Sequence, residues 1–186
     1  MKTNQKEVVF IRHGKPLSAH NDNINAADYA KWVKDYDRSD LDPASLPEEE
    51  ASLEDSYVIV SPLLRAQLSA KQYGAVTINE TCHNLKEMDI PFYNIPLKLK
   101  AWHWVLLSRT LWFAGFKGDF ESFAHAKKRT VNLAQHIQTL SEAHNRIVLF
   151  GHSMTNYFTR KQLIKNGWKL QKKSGAFWGI TTLTKS

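Results

Sequence analysis

The chain has 186 residues, 42% of them hydrophobic and 23% charged, which is the make-up of about one globular domain. Six Trp, six Tyr and nine Phe exclude a disordered chain, and a single cysteine, Cys82, excludes an intramolecular disulfide framework or a Cys-rich zinc site. The net charge of +7 is uneven: residues 154–186 hold seven Lys and Arg and no acid, whereas residues 1–153 hold 18 groups of each sign.

Residues 22–55 carry eleven acidic groups against three basic ones. Such polarity can steer an anionic ligand towards one end of a molecule, or it can be two solvated faces of opposite sign. The aromatic-and-basic signature of an RNA-binding sheet is absent, so no nucleic-acid partner is expected. The apolar run Val8–Ile11 is too short for a secretory h-region, and Lys98, Lys100, His103 and Arg109 interrupt the most apolar stretch. The expectation is a soluble, cytoplasmic single domain over residues 1–186, without a membrane partner; its oligomeric state is left open.

In chain order, Val8-Val9-Phe10-Ile11 reads as a buried strand, because it is β-branched and aromatic with no polar member. Residues 26–36 read as a weak helix and the acidic stretch 37–55 as a surface connection. Tyr57–Val60 is a second strand. Ser61-Pro62 then reads as an N-cap followed by Pro at the first helical position, in a helix closed by Gly74. Ala75–Ile78 is expected as a third strand. Residues 94–117 are rich in aromatics without a clean period, and the role of the segment 101–116 as core or as substrate-pocket wall is left even. Phe123, Ala126, Thr130, Leu133, Ile137 and Leu140 keep helical spacing and predict a helix over 120–143. Arg146–Phe150 follows as a strand, 154–166 as a helix and 176–183 as a last strand. Short apolar strands alternating with helices indicate an α/β fold, a mostly parallel central sheet covered on both faces.

In such sheets the ligand crevice lies beyond the carboxyl ends of the strands. Arg12-His13-Gly14 follows the first strand, Ser61-Pro62-Leu63-Leu64-Arg65 the second, and Gly151-His152-Ser153 the fourth. Three strand ends thus bring two arginines and two histidines to one rim. Guanidinium forks and helix N-termini both suit phosphate oxygens. A phosphorylated substrate is therefore expected. Gly151-His152-Ser153-Met154 also has the look of a serine-hydrolase elbow, but no acid or histidine lies downstream of Ser153 to complete a triad in that fold's order.

Phe10-Ile11-Arg12-His13-Gly14 resembles the first motif of the histidine phosphatase superfamily, the phosphoglycerate-mutase-like fold. Ser61–Ala66 with Ala70 resembles its second motif, and Phe150–Ser153 with Asn156 its third. Asn84-Leu85-Lys86-Glu87 resembles the segment that supplies the acid in the larger branch. The resemblance implies a three-layer α/β/α sandwich and a metal-independent phosphomonoester hydrolase that needs no cofactor. His13 would be the nucleophile, Arg12, Arg65 and His152 the phosphate ligands, and Glu87 the acid and then the base, with Asp89 as the alternative. A small phosphorylated metabolite is the leading substrate. A phosphohistidine-protein phosphatase, a mutase and a non-catalytic anion- or protein-binding module are the alternatives. A nucleophilic imidazole must be neutral, and adjacent guanidiniums favour that state.

Three departures from the family pattern stand out. Ser153 replaces a common glycine, Lys15-Pro16 replaces an acidic or polar pair, and Ala19, flanked by Ser18 and Asn21, stands where an asparagine often helps to bind phosphate. Glu87 is expected in a water-excluding pocket with a raised pKa.

Overall fold

The three continuous apolar runs lie side by side in one sheet of the computed structural model, which describes residues 5–186. The strands are β1 (Lys6–Arg12), β2 (Asn23–Asn25), β3 (Tyr57–Val60), β4 (Glu80–Thr81), β5 (Lys98–Lys100), β6 (Arg146–Gly151), β7 (Lys169–Lys172) and β8 (Ile180–Lys185). The helices are α1 (Ala26–Arg38), α2 (Leu64–Gln72), α3 (Ala101–Phe113), α4 (Phe123–Ala143) and α5 (Ser153–Lys165). The six-stranded sheet has the order β4-β3-β6-β1-β8-β7, and β2 pairs with β5 in a separate ribbon. Strand β1 runs parallel to β6, β6 to β3 and β3 to β4, while β8 runs against both β1 and β7.

Alternation along the central strands divides the core in two. Val8, Phe10, Ile59, Ile147 and Leu149 face Leu133, Ile137 and Leu163 of α4 and α5. Val9, Ile11, Val58, Val148 and Phe150 face Ala70 of α2 and Tyr73, with Trp178 beside them. Both faces are thus buried, which is why these strands carry no polar alternation. A third cluster joins Tyr29, Val33 and Tyr36 of α1 to Trp104 of α3, and a fourth joins Trp112 to Met88 and Ala126. The aromatic stretch thus puts Trp104 and Trp112 in the core and leaves Trp102, Phe113 and Phe116 partly exposed. No helix of the described residues is long and apolar enough to cross a membrane.

Three expectations need correction, and the aromatic stretch gains a structure that its sequence left unassigned. Residues 75–78 are not a strand; the edge strand β4 is two residues further on and only two residues long. The predicted strand 176–183 begins at Ile180, because the chain turns at Phe177–Gly179, and β7 precedes that turn. Residues 98–113 form a short strand and a 13-residue helix. Ser61 does not cap α2, which starts at Leu64 after the extended Leu63 with no side-chain cap.

The turn before β8 fixes the loop after β1. Trp178 donates its backbone N–H to the Arg12 carbonyl (3.1 Å) and its indole N–H to Ser45 Oγ (2.9 Å). Its backbone is left-handed (φ 59°), a costly conformation for an aromatic residue. A Cβ on Gly14 would fall 2.5 Å from the Trp178 ring. Gly14→Ala is therefore expected to destabilise the protein by about 1–3 kcal/mol, read as a lower denaturant midpoint; an unchanged midpoint would show that the Trp178 ring yields freely.

Candidate active site

Arg12 ends β1, and His13 follows it at the carboxyl end of the sheet. The His13 ring is buried (2% exposed), and its Nδ1 lies 2.7 Å from the carbonyl oxygen of Gly14. The bond requires Nδ1–H as donor and leaves Nε2 with its lone pair. Arg65 Nε donates towards that lone pair over 3.3 Å. Burial, then the neighbouring His152, Arg65 and Arg12, hold the His13 pKa well below the usual histidine range. His13 is a neutral imidazole in a cationic setting.

Arg65, in the first turn of α2, is fully buried. Its Nη1 donates to the carbonyls of Tyr36 (3.2 Å) and Asp37 (3.1 Å), and its Nη2 reaches Asp37 Oδ1 (3.4 Å). The C-terminal end of α1 thus fixes the guanidinium. Arg12 donates from Nη1 to the Gly175 carbonyl (2.7 Å) and lies 4.1 Å over the Phe177 ring. His152, at the end of β6, is fully buried; its ring centroid lies 4.9 Å from that of His13. Its Nε2 meets Ser61 Oγ at 2.7 Å, and its Nδ1 has no partner among the described residues. Burial first, then Arg65 and Arg12, keep His152 neutral as well.

Glu87 is placed differently from expectation. One carboxylate oxygen accepts from the backbone N–H groups of Met88 (3.0 Å) and Thr155 (3.0 Å), the other from Met154 N–H (3.2 Å) and Ser153 Oγ (3.3 Å). The N-terminus of α5, expected to be available to phosphate, is therefore occupied by Glu87. Burial pushes its pKa up, but Arg109 and these N–H donors outweigh burial and the net shift is downward. The expected raised pKa is thus corrected: in the unliganded site Glu87 is ionised. Arg129 of α4 fastens the Glu87 segment by donating to the carbonyls of Asn84 (2.9 Å), Lys86 (2.6 Å) and Glu87 (3.3 Å) while paired with Glu121. Asp89 is tied to Lys86 (3.1 Å) and to the Glu121 N–H (2.9 Å).

A cavity of about 190 Å³ brings Arg12, His13, Arg65 and Glu87 together on one wall system. His152 does not reach its surface and packs against His13. Trp102, Val105 and Arg109 also line the cavity, so the stretch left open between core and pocket wall serves both; Tyr36 and Ile90 line it too and were not anticipated. Arg109 donates from Nη2 to the Met88 carbonyl (2.8 Å) and lies beside the Trp112 ring. Asn21 serves α3 instead of the cavity, accepting from Trp102 N–H (3.1 Å), and Ala19 packs in the α1–α3 cluster. Among the described residues, metal-type ligands gather at Glu80, Cys82 and His136, at the β4 edge of the sheet and not at this cavity.

No family model matches the chain, and no curated protein sequence matches it. Solved structures do. Mycobacterial glucosyl-3-phosphoglycerate phosphatase matches with a TM-score of 0.56 at 15% identity, covering 97% of this chain and 90% of that one. A mutant of phosphoserine phosphatase from Entamoeba histolytica, in complex with phosphoserine, matches with a TM-score of 0.56 at 15% identity over 95% and 89% of the two chains. These likenesses show the fold alone: the chain shares the α/β architecture of those two solved structures.

The buried neutral histidines set a pH dependence of stability. Their folded pKa lies below the unfolded value of about 6.5, so below that pH the unfolded chain binds protons the folded one does not. Stability is full above about pH 6.5 and falls below it, by up to about 1.4 kcal/mol per pH unit for each group. Glu87, also depressed, extends the loss below its ordinary range. Denaturant unfolding at pH 7.5 and 5.5 is expected to show this decline, with a shallower slope in His13→Gln. Equal stability at both pH values would mean that the histidines protonate in place.

Proposed function

We propose that the protein is a metal-independent phosphomonoesterase acting on a small phosphorylated metabolite through a phosphohistidine on His13. The observation that carries this reading is the His13 imidazole at the wall of a cavity that Arg12 and Arg65 also line, its Nδ1–H held by Gly14 and its unprotonated Nε2 met only by a long bond from Arg65 Nε, which must turn to the phosphoryl oxygens as Nε2 attacks. In the first step Nε2 attacks phosphorus as the ester P–O bond breaks in line. Arg12 and Arg65 exchange neutral acceptors for phosphoryl oxygens, to which guanidinium binds more strongly, and offset the charge of the transition state. His152, packed against His13 behind the cavity wall, supports the nucleophile's position.

Glu87 is the proton donor in this reading, although it is ionised in the free site. A phosphate dianion beside a carboxylate raises its pKa, so the proton enters with the substrate. Glu87 passes it to the leaving alkoxide, then takes one from the water that hydrolyses the N–P bond, and inorganic phosphate leaves. Asp89, engaged with Lys86 and the Glu121 backbone, is the weaker candidate. The 190 Å³ cavity, walled by Trp102, Ile90 and Val105, favours a small ester over a protein segment. The phosphatases with this fold are named for small phosphorylated metabolites, which agrees with that preference.

Turnover of an alkyl and an aryl phosphate by wild type, His13→Ala and Glu87→Gln, in the presence of chelator, tests the proposal. His13→Ala is expected to abolish turnover of both esters, while chelator leaves the wild type active. Glu87→Gln is expected to slow alkyl phosphate cleavage by about 10²–10⁴-fold and to spare formation of the phosphoenzyme from the aryl ester, whose phenolate leaves unaided. An active His13→Ala variant, or strict dependence on a divalent ion, would overturn the reading. Selective loss of the alkyl ester in Asp89→Asn would move the acid to Asp89.

A further inference from the structure

Beside the His13 cavity lies a second cleft of about 110 Å³, whose walls include Arg12, Ser153, Arg160, Lys173 and Ser174. Arg12 and Ser153 line both spaces, so one guanidinium separates them. The cleft contains three cationic side chains and no Asp or Glu. None of the three cations belongs to an ion pair of the described residues.

Arg160 carries the point furthest. The residue is 9% exposed, has no ion-pair partner among the described residues and packs over the Tyr157 ring at 5.3 Å, with its guanidinium nitrogens open to the cleft's solvent. A guanidinium positioned by packing and with no carboxylate against it gains most from an oxyanion that enters beside it. Arg12 repeats the pattern, with its Nε buried and unpartnered while Nη1 is held by the carbonyl of Gly175, itself a residue of this cleft. Lys173, exposed at the rim, adds a flexible ammonium that can close over an anion.

We propose that this cleft is a second oxyanion site, taking a tetrahedral phosphate group between Arg160, Lys173 and the outer edge of Arg12. The group can come from free inorganic phosphate or from the second phosphate of a bisphosphorylated substrate. The link to turnover rests on the function proposed above; the binding site itself does not.

Calorimetric titration with inorganic phosphate tests it. Wild type is expected to bind two phosphates per chain, and Arg160→Gln and Lys173→Gln each one, with the remaining affinity unchanged. The two variants guard against a folding defect in the more buried one. Kinetics on an alkyl monophosphate and an alkane bisphosphate then separate the sources. If the substrate's own second phosphate sits here, Arg160→Gln raises KM for the bisphosphate by about tenfold or more and leaves kcat and the monoester unaffected. If the free ion sits here, both KM values stay and the second phosphate is still lost. One phosphate per wild-type chain, or two that persist in both variants, would overturn the site. A chain without phosphatase activity that still binds an Arg160-dependent second phosphate would refute the proposed function and leave this site standing.

Discussion

The site depends on keeping one imidazole neutral among cations. His13 is withdrawn from water and surrounded by His152, Arg65 and Arg12, all of which disfavour a second positive charge. The same guanidiniums suit a phosphate dianion, so in the proposed mechanism the groups that keep the nucleophile unprotonated are the ones placed to bring its target. They are held apart from each other by neutral acceptors: carbonyls of Tyr36 and Asp37 for Arg65, and of Gly175 for Arg12. Carbonyls fix a guanidinium without neutralising it, and an arriving oxyanion gains most of the available charge. Asp37 is the one carboxylate on Arg65, at 3.4 Å, and burial raises its own pKa, which weakens the competition.

Glu87 shows the opposite economy. Its carboxylate is held by N–H donors at the start of α5, where the helix dipole favours an anion. Its segment is clamped by Arg129 from α4. Two helices therefore fix a single carboxylate beside the cavity. In the proposed mechanism a negative charge there opposes phosphate until a proton arrives, which would couple substrate entry to protonation of Glu87. The arrangement also explains why the N-terminus of α5 is no phosphate cradle in the free protein.

The sequence made the middle of the sheet legible because β1, β3 and β6 are buried on both faces and so carry no polar residue at their centres. Helix α4 was legible for the converse reason, one buried stripe on an otherwise polar surface. Strand β7, Lys-Leu-Gln-Lys, is exposed along its whole length and owes its existence to pairing with β8, which no local pattern announces. Helix α3 buries Trp104, Ser108, Arg109 and Trp112 against separate clusters, so its apolar residues keep no single period. His13, Arg12, Arg65 and His152 stood out because each follows a strand. Glu87 stood out by resemblance alone, and its hydrogen bonds to α5, 66 and more residues away, were invisible. Trp102 and Arg109 reach the cavity only through the way α3 packs on α1.

The neutral, Nδ1-protonated state of His13 can be measured without any substrate. Nitrogen-resolved NMR of the imidazole rings, with His13→Gln for assignment, reports tautomer and charge across about pH 5.5 to 8. The His13 ring is predicted to carry its proton on Nδ1, to keep Nε2 unprotonated as the acceptor of Arg65 Nε, and to remain neutral through the ordinary histidine range near 6.5. An imidazolium that forms with an ordinary pKa, or a proton resident on Nε2, would contradict the account, because the nitrogen that must meet phosphorus would be protonated.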